Sequence, residues 1–258
     1  MKTICTAALL SMTAFGALAQ DVVIVGEIHD NPMHHAAQAE VVTRIAPKAL
    51  VFEMLTPEQA KAITPDNRDD QAQLSADLDW ENSGWPDFSM YYPIFTAAPE
   101  ARIYGAQVPR DVARAAFENG IFEGFSDDPD AYGLTNPLSE AQQTNREAMQ
   151  MAAHCDALPP EMLPGMVSIQ RLRDAELAHG VVQAMQDTGG PVVLITGNGH
   201  ARKDWGVPYY LNRVAPDLQV HVIGQTENDA PLEGGFDEVR SAPAVEREDP
   251  CAAFTGKG

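Results

Sequence analysis

The sequence contains few basic residues and few aromatic residues, and the shortage of basic residues restricts which partners the protein can bind. Lysine and arginine together number 17 against 37 aspartates and glutamates, so the formal net charge at pH 7 is −20. Nucleic-acid binding requires clustered positive charge, so the composition argues against a nucleic-acid partner. Aromatic residues make up 7% of the chain, and no apolar stretch is long enough to predict an integral membrane span.

Several well-known catalytic and nucleotide-binding motifs are absent. The chain has no G-x-S-x-G elbow of a serine hydrolase, no P-loop lysine and no H-E-x-x-H zinc helix. The segment GNGH at 197–200 lacks the third glycine of a dinucleotide-binding loop. Its small residues are better explained by a sharp turn that presents His200 at the end of a strand.

The N-terminus has the pattern of an export signal. Lys2 is followed by an apolar stretch over residues 4–18 and by the small-residue site Ala17-Leu18-Ala19. This pattern predicts a signal peptide over residues 1–19 and a periplasmic or secreted protein. Cys5 lies too early in the signal to be a lipid-attachment cysteine, so we expect no lipid anchor.

Only two of the three cysteines follow the predicted signal, Cys155 and Cys251. Two cysteines in an exported chain suggest one disulfide, which would tie the C-terminal segment to the middle of the chain. Sequence spacing alone leaves open whether the fold brings the two residues together.

Five short apolar runs alternate with helical patterns. Continuous apolarity is typical of strands that are buried on both faces, and intervening helices connect such strands in parallel. The sequence therefore predicts an α/β fold, a doubly wound and mainly parallel sheet with a smaller helical sub-domain inserted. The runs cover residues 22–25, 49–52, 102–104, 191–196 and 218–223.

Composition also divides the chain. We expect one α/β domain over residues 20–224, with a helical insertion at about 111–165. Residues 225–258 are rich in glycine, proline and acidic residues. This composition predicts that residues 225–258 form an extended acidic C-terminal tail.

Polar residues follow the predicted strands. Ligands of doubly wound sheets bind beyond the carboxyl ends of the strands, so these residues are expected to converge on one site. Glu27, His29, Glu53 and His200 are the candidate catalytic residues, because a glutamate and histidine cluster suits general acid–base chemistry. The same four side chains are also the candidate ligands of zinc or another divalent metal.

The segment GEIHDNPMHHAAQ, residues 26–38, contains groups with simpler roles as well. Asp30 or Asn31 can cap the helix that Pro32 begins. His35 is expected on the surface, and His34 shares a helical face with Gln38.

A second polar stripe lies on a later helix predicted over about 165–186. Gln170, Arg173 and Asp174 share a face with apolar residues. The stripe predicts a helix whose first turns line a polar cavity, and a surface ion pair is the alternative. The methionines and the histidine of residues 149–166 are either core residues or soft ligands for copper(I), which gives a further hypothesis of a copper carrier.

Together these segments resemble the ChaN-like family. The resemblance rests, over about residues 22–224, on GEIHDNPMHHAAQ, FEML, IYGAQVPR, QRLRDAELA and GNGHARKDWGVPYYL. It implies an α/β core with a smaller helical part, an exported location, and haem binding linked to iron uptake. It also implies haem as ligand, with a dimer and an outer-membrane haem receptor as candidate partners. Members of the family are often lipoproteins, whereas no lipid-attachment cysteine follows the signal here.

The haem hypothesis assigns roles to particular side chains. Tyrosine is the expected axial ligand, with Tyr92 ahead of Tyr209 and Tyr210. Arg110 and Arg173 are expected to pair with the haem propionates. His34 and Asp174 complete the candidate cofactor-binding residues.

The resemblance also extends to a superfamily with TraB/Tiki metalloproteases and erythromycin esterases. Their similar motifs imply hydrolysis, with or without a metal. For this chain the alternative function is therefore a hydrolase that uses Glu27, His29, Glu53 and His200.

Overall fold

A computed structural model describes residues 20–121, 124–249 and 251–252 of the chain, and the predicted signal peptide lies outside the described residues. Six parallel strands form one sheet in the order β3-β2-β4-β1-β5-β6. The predicted α/β fold with a doubly wound parallel sheet is confirmed. The strands are β1 (Val22–Val25), β2 (Ala49–Phe52), β3 (Arg102–Gly105), β4 (Val192–Ile195), β5 (Val220–Glu227) and β6 (Glu238–Ala242).

Helices cover both faces of the sheet. Among the described residues no helix is both long and apolar enough to cross a bilayer. The helices are α1 (Pro32–Ile45), α2 (Pro57–Lys61), α3 (Pro65–Arg68), α4 (Gln71–Asp77), α5 (Phe88–Ala97), α6 (Arg110–Asn119), α7 (Glu140–Ala153), α8 (Leu163–Thr188), α9 (Asn198–Ala201) and α10 (Val207–Val214), with short 3₁₀ turns at Trp80–Asn82 and Pro160–Met162.

The apolar runs of β1, β2 and β4 are strands because both of their faces are buried. Val22 and Ile24 of β1 pack into a core shared with α8 and α10, and Val23 and Val25 pack into a second core shared with α1 and α5. All four side chains are at most 1% exposed. Alternate residues of one strand thus supply two cores, which positions helices on both sides of the sheet.

Local signals begin and end the helices that flank the site. The Asn31 side chain accepts a hydrogen bond from the Met33 N–H at 2.9 Å and caps α1, and Pro32 occupies its first turn. Helix α8 ends at Gly189, whose φ of 70° is the left-handed conformation that glycine tolerates best. Asn31 is therefore the cap, and Asp30 is free for another role.

The segment that the sequence predicts as an extended tail from residue 225 includes strand structure. Strand β5 continues to Glu227, and β6 pairs with it in parallel at the edge of the sheet. Residues of β6 are alternately half-buried and exposed, so the strand is polar and lacks the apolar run that marked the others. The disulfide is present: Cys155 and Cys251 are bonded, with their Cα atoms 5.5 Å apart.

Candidate functional site

The carboxyl ends of the three central strands bring four predicted residues together. Glu27 and His29 follow β1, Glu53 follows β2, and His200 lies in α9 directly after β4. Because β4 is the neighbour of both β1 and β2, these side chains meet at one edge of the sheet.

Glu27 is the most constrained of the four. It is 2% exposed. One carboxylate oxygen lies 2.7 Å from His29 Nδ1 and accepts a hydrogen bond from the Tyr91 hydroxyl at 2.9 Å. The other oxygen accepts a hydrogen bond from Gln38 Nε2 at 2.6 Å and lies 3.4 Å from His35 Nδ1. Because both of its oxygens are engaged, the Glu27 carboxylate is held in one orientation, with one oxygen against His29 Nδ1.

His29 is the accessible member of the site. Its side chain is 35% exposed, and the ring packs edge-on against Trp85 at 5.0 Å between centroids. Burial lowers the pKa of His29, but the Glu27 hydrogen bond and the negative charges of Glu53 and Glu27 outweigh it and raise the pKa to about 9. His29 is therefore an imidazolium at neutral pH.

Glu53 is held by the start of the segment that carries His200. One of its oxygens accepts hydrogen bonds from Thr196 Oγ1 at 2.6 Å and from the Gly197 N–H at 2.8 Å. The other oxygen lies 3.4 Å from His200 Nε2. Burial raises the pKa of Glu53, but the positive charges of His200 and His29 and the two hydrogen bonds lower it below its usual value.

His200 is also paired on its other side. Its Nδ1 lies 2.6 Å from Asp174 Oδ1 and 3.1 Å from Gln170 Nε2. Asp174 is fully buried, and this burial raises its pKa to about 6 against the opposing effect of the His200 charge. The pKa of His200 is raised, because Glu53 and Asp174 outweigh burial. Gln170 and Asp174 on α8 thus face His200.

Gly197 separates the two histidine and carboxylate pairs. A β-carbon at this position would lie 2.8 Å from His29 Nε2 and 3.8 Å from Glu53 Oε2. The imidazole of His29 therefore packs against the backbone of residue 197, next to Glu53. The arrangement places a proton donor, His29, close to a carboxylate and a second histidine, a set of groups that can perform acid–base chemistry.

The other two histidines of the first segment are structural. His34 Nδ1 accepts a hydrogen bond from the Ile28 N–H at 2.9 Å, and its Nε2 lies 3.2 Å from the Thr226 carbonyl. The prediction that His35 lies on the surface is wrong, since His35 is 0% exposed and its Nε2 lies 2.7 Å from the His29 carbonyl. His35 is buried because it lies on the face of α1 that packs against α5.

The three predicted haem tyrosines lie in different environments. Tyr210 is 1% exposed and Tyr209 is 39% exposed, with their rings perpendicular on α10. Tyr92 lies half-buried on α5 with its ring 6.0 Å from that of Phe88. The pKa of Tyr92 is raised by burial and by the carboxylates of Asp69 and Asp70.

The predicted arginines also differ. Arg110 is exposed at the start of α6, with its guanidinium 3.4 Å from the Ser83 carbonyl. Arg173 is exposed on α8, where its positive charge opposes the rise in the pKa of His200.

Among the residues that the structure describes, no group of three or more His, Cys, Asp or Glu side chains is arranged to hold a metal ion, and this includes the predicted set of Glu27, His29, Glu53 and His200.

Two contacts of the site were not predicted. The Tyr91 hydroxyl reaches Glu27, and Asp174 pairs with His200 rather than with a bound cofactor. The helical spacing of Phe88, Tyr91 and Ile94 indicates that Tyr91 is buried, because the three residues share the buried face of α5. Nothing in the spacing of residues 174 and 200 predicted that pair.

Comparison with known proteins identifies the family. The family model described as "Haem-binding uptake, Tiki superfamily, ChaN" matches residues 16–211. No curated protein matches the chain. A structure of ChaN from Campylobacter jejuni, described as showing cofacial heme binding, superposes with a TM-score of 0.68 at 18% identity and covers 86% of this chain and 87% of that one.

Two other solved structures give lower TM-scores. The type III effector HopBA1 gives a TM-score of 0.45 at 11% identity over 87% of this chain and 88% of its own. A succinoglycan biosynthesis protein gives 0.42 at 11% identity over 81% and 66%. Because the family model spans most of the chain and the fold agrees with it, the protein belongs to the ChaN haem-binding uptake family of the Tiki superfamily.

Proposed function

We propose that the protein is an exported haem-binding protein that takes part in haem and iron acquisition. The observation that carries the proposal is the match of the haem-binding uptake family model over residues 16–211. The similar fold of a ChaN whose structure is described by its cofacial heme supports it.

Tyr209 is the best axial ligand among the tyrosines. A phenolate oxygen can ligate haem iron, provided that the side chain is accessible. Tyr209 is the most exposed of the three, and Tyr210 is buried in the core. Tyr92 is a poorer candidate, because burial and the neighbouring carboxylates raise its pKa and oppose its phenolate form.

Arg110 and Arg173 are the candidate partners for the haem propionates. Both guanidinium groups are exposed, and charge-assisted hydrogen bonds from arginine suit carboxylates. His34 and Asp174 are poor haem contacts, because both are buried and engaged in internal hydrogen bonds. Bound haem would supply the iron in the proposed haem and iron acquisition.

The proposed location of the protein is the periplasm or the extracellular space. Residues 1–19 serve as the export signal, and the bond between Cys155 and Cys251 suits an oxidising compartment such as the periplasm. A haem receptor of the outer membrane and a second copy of the chain are the proposed partners.

Haem titration tests the proposal. Purified protein lacking residues 1–19 is titrated with haemin, and the Soret band is followed. We expect saturable binding at micromolar haem, a loss of affinity in Tyr209→Phe, and little change in Tyr92→Phe. Wild-type protein without a saturable Soret shift would contradict haem binding, and equal binding by Tyr209→Phe would contradict only the choice of ligand.

A second candidate function is hydrolysis. The observation that favours it is the pair of histidine and carboxylate contacts on either side of Gly197. In such a reaction, a water oxygen attacks a carbonyl carbon and passes its proton to the ionised carboxylate of Glu53, which His200 holds in place. The His29 imidazolium then donates a proton to the leaving group.

A substrate screen tests this candidate. Ester and peptide substrates are assayed with and without added zinc or manganese, and each activity is compared with Glu53→Gln and His29→Asn. Activity that survives both substitutions would show that it arises elsewhere.

A further inference from the structure

Arg146 of α7 is a charged side chain buried in the core. It is 3% exposed. It shares the buried face of α7 with Gln150, one turn later, and α7 packs against α8. Burying a guanidinium costs free energy, because the group gives up its hydration and cannot lose its charge. A buried arginine therefore needs partners that offset this cost.

Hydrogen bonds offset this cost for Arg68 better than for Arg146. The Arg68 guanidinium donates to three carbonyl oxygens, those of residues 98, 99 and 101. Among the described residues, no acceptor bonds to Nε or Nη1 of Arg146. The charge of Arg146 therefore needs a different kind of partner.

The aromatic ring beside Arg146 is a shared partner. Cζ of Arg146 lies 5.1 Å from the centre of the Trp205 ring, and Cζ of Arg202 lies 3.6 Å from the centre of the same ring. Arg202 also forms an ion pair with Asp204, at 2.6 Å between Nε and Oδ1. A ring that already faces a closer cation attracts a second cation only weakly, so Arg146 still lacks an opposite charge.

Asp174 is the buried carboxylate that acts on Arg146. It is fully buried, and one of its oxygens contacts His200 Nδ1, whereas no described residue bonds to Oδ2. Burial lowers the pKa of Arg146, and Tyr210 and Asp174 oppose that effect. Burial raises the pKa of Asp174, and His200 and Arg146 oppose that effect. Two opposite charges with unfilled hydrogen-bonding capacity therefore interact in a core where little water screens them.

The other charged and titratable groups around Asp174 are already paired or uncharged. His200 of α9 lies between Asp174 and Glu53, which follows β2. Tyr210 of α10 is a neutral phenol at neutral pH, because burial raises its pKa to about 12. Arg171 of α8 donates to the carbonyls of residues 133, 134 and 136.

We propose that Arg146 is a positioning residue of the His200 site. Its buried charge holds Asp174 in the carboxylate form. That carboxylate keeps a proton on His200 Nδ1 and so directs a positively charged ring, through Nε2, toward Glu53. Four charges of alternating sign thus run from α7 to the end of β2, on Arg146, Asp174, His200 and Glu53. The coupling needs no ligand, and its use in catalysis rests on the hydrolytic candidate function, in which Glu53 is the base.

Loss of the Arg146 charge should move one proton within this chain of groups. Without that cation, a carboxylic acid and a neutral imidazole are favoured over a carboxylate and an imidazolium, because fewer charges are buried. The proton passes from His200 Nδ1 to Asp174 Oδ1, and the two atoms stay in contact. Glu53 then loses one of the positive charges that lower its pKa.

A double-mutant cycle, followed by urea unfolding, tests the coupling. In wild type, Arg146→Met should lower the midpoint, because Asp174 loses a counter-charge. In the Asp174→Asn background the same substitution should raise the midpoint, because it removes a buried cation that has lost its own counter-charge. Equal effects of Arg146→Met in the two backgrounds would show that the side chain only packs, and this result overturns the proposal.

NMR at neutral pH, with a chelator present, gives the spectroscopic signature. Wild type should show His200 as an imidazolium and the Cγ resonance of Asp174 as a carboxylate. In Arg146→Met both resonances should move toward the neutral forms. Gln150→Met is the matched control, because it changes the same buried face of α7 without a change in charge, and it should leave both resonances in place. A neutral His200 in wild type, or unchanged resonances in Arg146→Met, overturns the proposal.

These measurements use neither haem nor a substrate, so their failure is distinct from failure of the proposed function. If a hydrolysed substrate is found, the acid side of its pH–rate profile should move upward by about one pH unit in Arg146→Met and stay in place in Gln150→Met. An unmoved profile in Arg146→Met overturns the catalytic part of the proposal.

Discussion

His200 Nδ1 lies 2.6 Å from Asp174 Oδ1, and Asp174 is fully buried. The pairing explains why an ionisable carboxyl is placed inside α8 at all. Burying a charge costs free energy unless a partner offsets it, and His200 is that partner. Since Nδ1 of His200 faces Asp174, its Nε2 is left to face Glu53.

Asp174→Asn should lower the pKa of His200. The substitution keeps the shape of the side chain but removes the negative charge that favours the imidazolium. An NMR titration of the His200 ring protons measures the effect, with Gln170→Glu as a variant that should move the pKa in the opposite direction. An unchanged His200 titration in Asp174→Asn would contradict this role of Asp174.

Stability should fall as the pH rises above neutrality. His29 has a folded-state pKa of about 9, above its unfolded value, so its contribution is full below about pH 6.5 and is lost as the pH rises through 9. Because the side chain is 35% exposed and screened by water, we expect a loss of about 1–2 kcal/mol in the free energy of unfolding. Urea unfolding at several pH values measures it.

His29→Asn is the variant that identifies the source of this pH dependence. It should flatten the decline between about pH 6.5 and pH 9. The control is His154→Asn, at the end of α7 and away from the site, which should leave the slope as it is in wild type. A slope that persists in His29→Asn would assign the linkage to another group.

Gly197→Ala should displace the imidazole of His29. The backbone of residue 197 has a φ of −68°, which alanine adopts freely, so the effect comes from the β-carbon. That carbon would lie 2.8 Å from His29 Nε2, and we expect a loss of about 1–3 kcal/mol together with a shifted His29 resonance. Gly199→Ala is the matched control, because its β-carbon meets no atom closer than 3.9 Å.

Arg247→Ala should release the C-terminal segment from Asp30, which precedes α1, and from the end of β5. Arg247 Nε lies 2.5 Å from Asp30 Oδ2, and its Nη2 lies 2.7 Å from Glu227 Oε1. The hydrogen bonds that Arg247 and Asn31 donate to Glu227 lower its pKa to about 2. We expect a loss of roughly 1–2 kcal/mol that shrinks with added salt.

The neighbouring pair of Arg240 and Glu238 provides the control for that variant. The two residues lie two positions apart on β6, so their contact holds no distant segments together. Arg240→Ala should therefore cost less than about 0.5 kcal/mol in the same urea experiment. Equal losses for the two variants would show that Arg247 has no special role.

Cys155→Ser should destabilise the protein strongly. The bond closes a loop with a sequence separation of 96, and removing it frees the unfolded chain. We expect a loss of about 3–5 kcal/mol in guanidinium unfolding. Cys251→Ser and reduced wild type should lose the same amount, since all three lack one and the same crosslink.

Much of the fold was predictable because its strands are buried on both faces. The runs at Val22–Val25 and Ala49–Phe52 contain only apolar residues, and each is a strand with those bounds. The polar edge strand β6 was missed, because an exposed edge needs no apolar run. Burial on both faces therefore made β1, β2 and β4 predictable, whereas the half-buried edge strand β3 was predicted from a shorter apolar run.

The sequence by itself determined the parallel α/β architecture, the family, and the placement of Glu27, His29, Glu53 and His200 after strands. These properties depend on local apolar patterns and on motifs that lie within short segments. Only the tertiary structure decided which side chains pair. Asp174 with His200, Tyr91 with Glu27, and Arg247 with Asp30 are contacts between residues far apart in the chain, and their geometry depends on how the helices pack on the sheet.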